Sequence, residues 1–189
     1  MPIPTAKRSF LERYNDDRSA VKAASRAIAA ASQHNSLYLG DISVTGKARV
    51  RTTWSGLLEI IADKYGNPVS EAEYLTDIQE LKRAMNADHA PAFRRNPHPQ
   101  FNYSPGFRIS HAQKSLSVYL KHLWCLGEIT VPPQCPVDAL ILKKAGLRYP
   151  RTKWAYIDSI AEHQAKIEVL NRHAAEAGLS LAEWELLQF

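Results

Sequence analysis

The chain has 189 residues, 45% of them apolar, which is enough to bury the core of one domain, and a formal charge of +5. It has no run of 18 apolar residues, and the opening MPIPTAKRSF lacks the apolar stretch of a signal peptide, so a soluble, cytoplasmic protein without membrane association is expected. Cys125 and Cys135 are too few for a disulfide framework or a four-cysteine metal site, and none of the seven histidines stands at a recognised ligand spacing to either. No metal and no cofactor are expected.

From Ala6 to Gln33 the chain is rich in Ala, Arg and Lys, with Phe10, Leu11, Tyr14, Val21 and Ile28 as apolar members, and reads as one or two helices broken near Asn15. The stretch HNSLYLGDISVTGKAR mixes turn residues with β-formers and predicts a short extended segment. Val50, Trp54, Leu57, Leu58, Ile61 and Tyr65 repeat at helical spacing between about Lys47 and Tyr65, and Gly66, Asn67 and Pro68 stop the run. Ser70 with Glu73 is a capping-box pattern, and Tyr74, Ile78, Leu81 and Met85 carry that helix to about Asn86. HAPAFRRNPHPQFNYSPG, with its prolines, cannot be regular and makes the longest loop.

Phe107 to Gly127 has two faces. Ser110 with Gln113 predicts a capping box and Gly127 a C-terminal stop. Ala112, Leu116, Tyr119, Leu120, Leu123 and Trp124 share one side, while His111, Lys114, Lys121 and His122 share the other with Val118 and Cys125. A core helix with a basic, partly apolar edge follows. After the irregular EITVPPQC, Pro136 predicts the first position of a short helix that Gly146 closes. Thr152 is the expected cap of a long helix ending before Gly178, and Ser180 with Glu183 begins a last helix that docks through Leu181, Trp184, Leu187 and Phe189. The chain reads as all-α, a single helical domain over 1–189 or two lobes at about 1–88 and 89–189.

Charge is unevenly spread. Between His89 and Ile157, ten cations face only Glu128 and Asp138, a net +8, so the rest of the chain must sum to −3 to give +5. Polyanion binding by the C-terminal half is the first functional inference. A solvated basic surface is the other reading of such runs.

HAQKSLSVYL followed by CPVDALILKKAGL resembles the helix-hairpin-helix DNA glycosylase superfamily, in the branch typified by 8-oxoguanine DNA glycosylases. The resemblance covers roughly Pro105 to Gly146, and LSLAEWELLQF is similar to the family's closing helix. It implies a compact helical domain of that glycosylase type, acting on DNA, with Lys114 as nucleophile and Asp138 as conserved carboxylate. The hairpin differs from the usual form, since GFRISHAQ has no Gly-x-Gly turn, and Ser110 with the free amides of His111 and Ala112 is expected to take over phosphate binding.

Excision through a lysine requires a neutral amine close to the sugar C1′ and a carboxylate to stabilise positive charge and move protons. Lys114 is placed at about the fourth helical position, where the helix N-terminus and neighbouring His111, Arg108 and Lys121 disfavour an ammonium ion. Asp138, in the first turn of its helix, is kept ionised by amide donors. Arg94, Arg95, Arg108, Lys143 and Lys144 are the expected phosphate contacts. Among the four tryptophans, Trp184 is expected to stack on a flipped base, because the last helix of the family walls the pocket. The expected function is a glycosylase with lyase activity on an oxidised purine such as 8-oxoguanine. The alternatives are a non-catalytic nucleic-acid-binding protein of the same fold and a helical interaction protein of a mobile-element or defence system with an unknown protein partner.

Overall fold

The computed structural model describes residues 1–32, 37–94 and 106–188, which form eight α-helices and no strand. The first, α1 (Ile3–Tyr14), begins with a proline in its first turn and stops at Asn15, whose side chain bonds both backbone groups of Ser19. Helix α2 (Ala20–Ser32) buries Ala23, Ala24, Ala27 and Ala31, and these short side chains let its backbone pack close to the centre of the molecule. Among the described residues the predicted extended segment is limited to a single bridge between Tyr38 and Phe93, and its first residues, 34–36, lie outside them.

Helix α3 (Val44–Ala62) is capped by Ser43 and buries Val50, Trp54 and Leu58; α4 (Glu71–His89) starts at the Ser70–Glu73 capping box and buries Tyr74, Ile78, Leu81 and Met85. The two pack on each other and on α5 (Ile109–Leu126). Gly127 ends α5 at φ 85°, a conformation that favours glycine. Helices α6 (Ala139–Lys144), α7 (Ile160–Glu176) and α8 (Leu181–Leu186) complete the order.

The organising element is α5. From Ile109 to Cys125 every residue except Val118 is buried, polar ones included. Its apolar side enters a core that draws on residues from Ala23 to Trp184. Serines on α5 are tolerated inside because they have partners: Trp54 donates its indole N–H to Ser115 at 3.0 Å, and Tyr74 shares a hydrogen bond with Ser117. A smaller cluster of Ala6, Leu11, Trp124, Cys125, Ala182 and Leu186 fastens α1 and α8 to the far end of α5.

Three predicted boundaries move. The cap of α5 is Arg108, with His111 Nδ1 accepting from the Arg108 N–H at 3.2 Å, so Ser110 lies inside the helix and does not cap it. Pro136 precedes α6, which starts at Ala139 because Asp138 supplies the capping oxygen. Thr152 caps nothing: Trp154, Ala155 and Ile157 are buried in an irregular crossing, and α7 waits for the capping box of Ser159 and Glu162. A real cap outweighs an apolar pattern that can be buried without a helix.

Leu116→Ala removes a fully buried side chain from the middle of α5 and should cost about 2–5 kcal/mol. Ile60→Ala, at a side chain 70% exposed, should change stability by about 0.5 kcal/mol or less. Urea unfolding followed by circular dichroism checks both.

Candidate functional site

Lys114 lies in the second turn of α5, at its sixth position. Its Nζ donates to Asp138 Oδ2 at 2.7 Å. Between them in sequence, the connector after Gly127 returns along α5. Thr130 bonds the carbonyls of Tyr65 and Asn67, Gln134 Nε2 donates to Glu71 at 2.7 Å, and the other end of that amide meets His163 at 2.7 Å. The return ends in a two-point clasp: Gln113 Nε2 donates to the Val137 carbonyl at 3.0 Å and Gln113 Oε1 accepts the Val137 N–H at 3.2 Å. The next residue on each side of that clasp is Lys114 or Asp138. Gln113 therefore sets the register of the pair.

Asp138 is held from both sides. Its Oδ1 caps α6 by accepting the Ile141 N–H at 2.9 Å while Oδ2 faces Lys114. Burial by itself raises the carboxyl, but the Lys114 charge and hydrogen bond and the amides of Ile141 and Leu140 outweigh it and keep Asp138 below the ordinary aspartate value. Lys114 is 7% exposed, and its amine also lies 5.8 Å from the centre of the Trp154 ring.

A second pair lies seven residues further along α5, about 10 Å by helical rise. Lys121 donates to Glu185 of α8 at 2.6 Å, with both side chains almost wholly buried. Burial pushes the Glu185 carboxyl above its ordinary value in spite of Lys121. The two pairs share one cavity of about 300 Å³, walled also by Phe10 and Tyr14 of α1, Arg26, Ala29 and Ala30 of α2, and Val118 and His122 of α5. The Phe10 ring stands 4.7 Å from both the Lys121 amine and the His122 ring. Burial, then the charges of Lys121 and Arg26, lower His122 to about 4, and its buried Nδ1 has no hydrogen-bond partner among the described residues.

The structure thus joins Lys114 to Asp138 at a cavity and separates them from most of the other predicted residues. Ser110, His111 and Arg108 are fully buried. The Ser110 hydroxyl donates to the Ala155 carbonyl and its N–H to Ile157, the Ile109 N–H goes to Asp158, and the Arg108 guanidinium meets His111 at 3.0 Å. The N-terminus of α5 is filled by protein and offers no phosphate seat. Arg94 is half-buried, and Arg95 lies outside the described residues. Lys143 and Lys144 are exposed on the last turn of α6. Trp184 is buried and stacks on His173 with ring centres 5.9 Å apart, and it is not among the residues that line the cavity. Burial pushes the Cys125 thiol up to about 12 and Cys135 well above its usual value, so neither is a nucleophile.

Sequence reading missed the Lys121–Glu185 pair, the Gln113 clasp and the α1 wall. Glu185 lies on a short helix whose apolar neighbours hid it, and nothing local marks its partner. Among the described residues no helix is long and apolar enough to cross a membrane, and no group of three metal-ligating side chains gathers. Comparison of the chain with known protein families, with characterised proteins and with solved structures returns no match.

Two outcomes follow from these groups. His111, His122 and His163 are all lowered, chiefly by burial, the last two to about 4, so the unfolded chain binds more protons than the folded one below pH 6.5. Stability is fully present above pH 6.5 and should fall by about 1.4 kcal/mol per histidine for each pH unit down towards 4, as urea midpoints across that range will report. Glu185→Leu alone strands a buried Lys121 and should cost about 3–5 kcal/mol, whereas Lys121→Met with Glu185→Leu should be near neutral or stabilising in the same assay.

Proposed function

We propose that the protein is a DNA glycosylase of helix-hairpin-helix type with lyase activity, acting on an oxidised purine such as 8-oxoguanine extruded from the helix. The observation that carries this reading is the 2.7 Å contact between an amine and a carboxylate on the wall of a cavity of about 300 Å³. That volume is within the range of small-ligand pockets. Aromatic rings from α1, a buried ion pair and the orphan His122 Nδ1 give the cavity both a stacking surface and polar groups, which reading a flipped base requires. The sequence resemblance around Lys114 and Asp138 supplies the reaction class.

In the proposed reaction Asp138 takes the proton of the Lys114 ammonium, freeing the amine lone pair. The new bond from Nζ to C1′ forms as the C1′–N9 bond breaks, and its electrons leave with the base, which gains a proton. Asp138, which has passed its first proton to the departing base, takes one of the two protons left on Nζ and delivers it to O4′ as the C1′–O4′ bond opens, leaving the protonated imine. Removal of a C2′ proton then expels the 3′ phosphate, and water hydrolyses the imine to restore the lysine. After each delivery Asp138 returns to the carboxylate that its cap favours, and in that form it stabilises the positive charge at C1′.

A second reading takes the same contact as a structural ion pair in a non-catalytic nucleic-acid-binding protein, and the low exposure of Lys114 favours it. Borohydride reduction separates the two. Wild type should become covalently joined to duplex DNA carrying 8-oxoguanine or another oxidised purine. Lys114→Gln should abolish that product while keeping DNA binding and the helical spectrum, and Asp138→Asn should slow it by about 10²–10⁴. Trapping that survives in Lys114→Gln removes this lysine from the nucleophile's role, and a wild type that never traps leaves the non-catalytic reading.

A further inference from the structure

A larger hollow of about 770 Å³ lies between the segment after α6 and the outer face of α7. Arg148, Arg151, Lys166 and Arg172 line it together with Tyr149, and no acidic residue does. None of these four cations has a carboxylate within ion-pair distance among the described residues: Lys166 Nζ donates to the Arg151 carbonyl at 2.8 Å, and Arg172 Nε points to the Glu168 carbonyl at 3.4 Å. Backbone contacts of this kind orient the two side chains without neutralising them. Like charges gathered without counter-charge repel one another, and an anion relieves that cost.

We infer that this hollow is a track for the phosphodiester backbone of a nucleic acid, with Tyr149 as a stacking platform for a base. Tyr149 is 73% exposed, and its ring is already approached at 4.9 Å by the Lys153 amine. An exposed ring beside separated cations suits a polymer in which aromatic bases alternate with phosphates. A membrane surface would instead require apolar side chains set to enter lipid, and here Leu147 and Val169 face into the hollow. The track is tied to the candidate site at both ends of its wall. Asp138 caps α6 about 10 Å by helical rise before the hollow begins at Ala145, and Trp154, three residues after Arg151, has its ring centre 5.8 Å from the Lys114 amine.

The choice of nucleic acid is shared with the proposed function, and the track deepens that reading by naming where the backbone lies. It stands without the chemistry. The test measures binding of a fluorescent undamaged duplex, and of a single strand, between about 50 and 200 mM salt for wild type, for Ile60→Ala and for the triple variant Arg148→Ala, Arg151→Ala, Arg172→Ala, with anionic phosphatidylserine vesicles as a separate arm. All three arginines are exposed, so the triple variant should keep the wild-type circular dichroism spectrum and melting point. The triple variant is expected to lose about tenfold or more in affinity and to lower the salt slope by about 0.9 for each duplex phosphate contact removed, while Ile60→Ala, outside both the hollow and the candidate site, binds as wild type does. Tyr149→Ala should weaken single-strand binding with little change in the slope. Unchanged affinity and slope in the triple variant overturn the track, as does binding to vesicles in place of nucleic acid. Loss of binding in the triple variant together with no trapping by wild type upholds the track and rejects only the excision chemistry.

Discussion

The constraint on which the molecule depends is that α5 is buried on its polar side as well as its apolar one. A lysine amine out of water is costly unless a counter-charge meets it, so Lys114 and Lys121 each dictate where an acid must come. Meeting that demand fixes the rest of the topology. The connector must return along α5 to deliver Asp138, and α8 must close over the other end to deliver Glu185. Gln113 and Thr130 hold the return path, while the apolar cluster under α1 and α8 holds the closure. Two ion pairs inside a helical protein do less for stability than apolar packing would, which is the physical ground for looking for another role for them.

The cavity beside the pairs follows from side-chain size. Opposite Lys114, Val118 and Lys121, α2 presents Ala29 and Ala30, too short to reach across, and Arg26, which stands at the edge. The same helix uses Ala23, Ala27 and Ala31 to bring its backbone close to α5 on its inner face. One alanine-rich helix thus makes a tight contact on one side and a gap on the other. Helix α1 covers that gap with Phe10 and Tyr14, and these rings give it an apolar wall facing two charged pairs.

Much of this was legible in the sequence where the signal was local. The capping boxes at Ser70 and Ser180, the break at Asn15 and the glycine stop at Gly127 are short-range chemistry and appear where the residues predict them. Local signals failed where two competed: Ser110 and Thr152 are good capping residues, but the caps fall at Arg108 and Ser159, and at the start of α5 Asp158 and the Ile157 carbonyl already occupy the amides of Ile109 and Ser110. The lysine and aspartate of the candidate site were legible as a pair through their sequence context. Glu185 was not, since its meaning rests on a partner 64 residues away.

The same contrast bears on charge. Summed along the chain, the basic half reads as one polyanion surface, but the fold sorts its cations into two populations with different physics. Arg108, Lys114 and Lys121 are interior groups whose charge is spent on His111, Asp138 and Glu185 or screened from solvent, and they contribute little to the field a distant phosphate feels. Lys143, Lys144, Arg148, Arg151 and Arg172 stand in water on one segment and its neighbouring helix, where a field can act over about a Debye length, 8–10 Å at ordinary salt. That distance is comparable to the length of α6, so the exposed cations and the capped aspartate at the other end of that short helix lie within reach of one bound strand. Under the proposed function, attraction and reaction are the work of separate residues: the outer cations would gather the polyanion, and the inner pair, protected from it by burial, would keep its geometry.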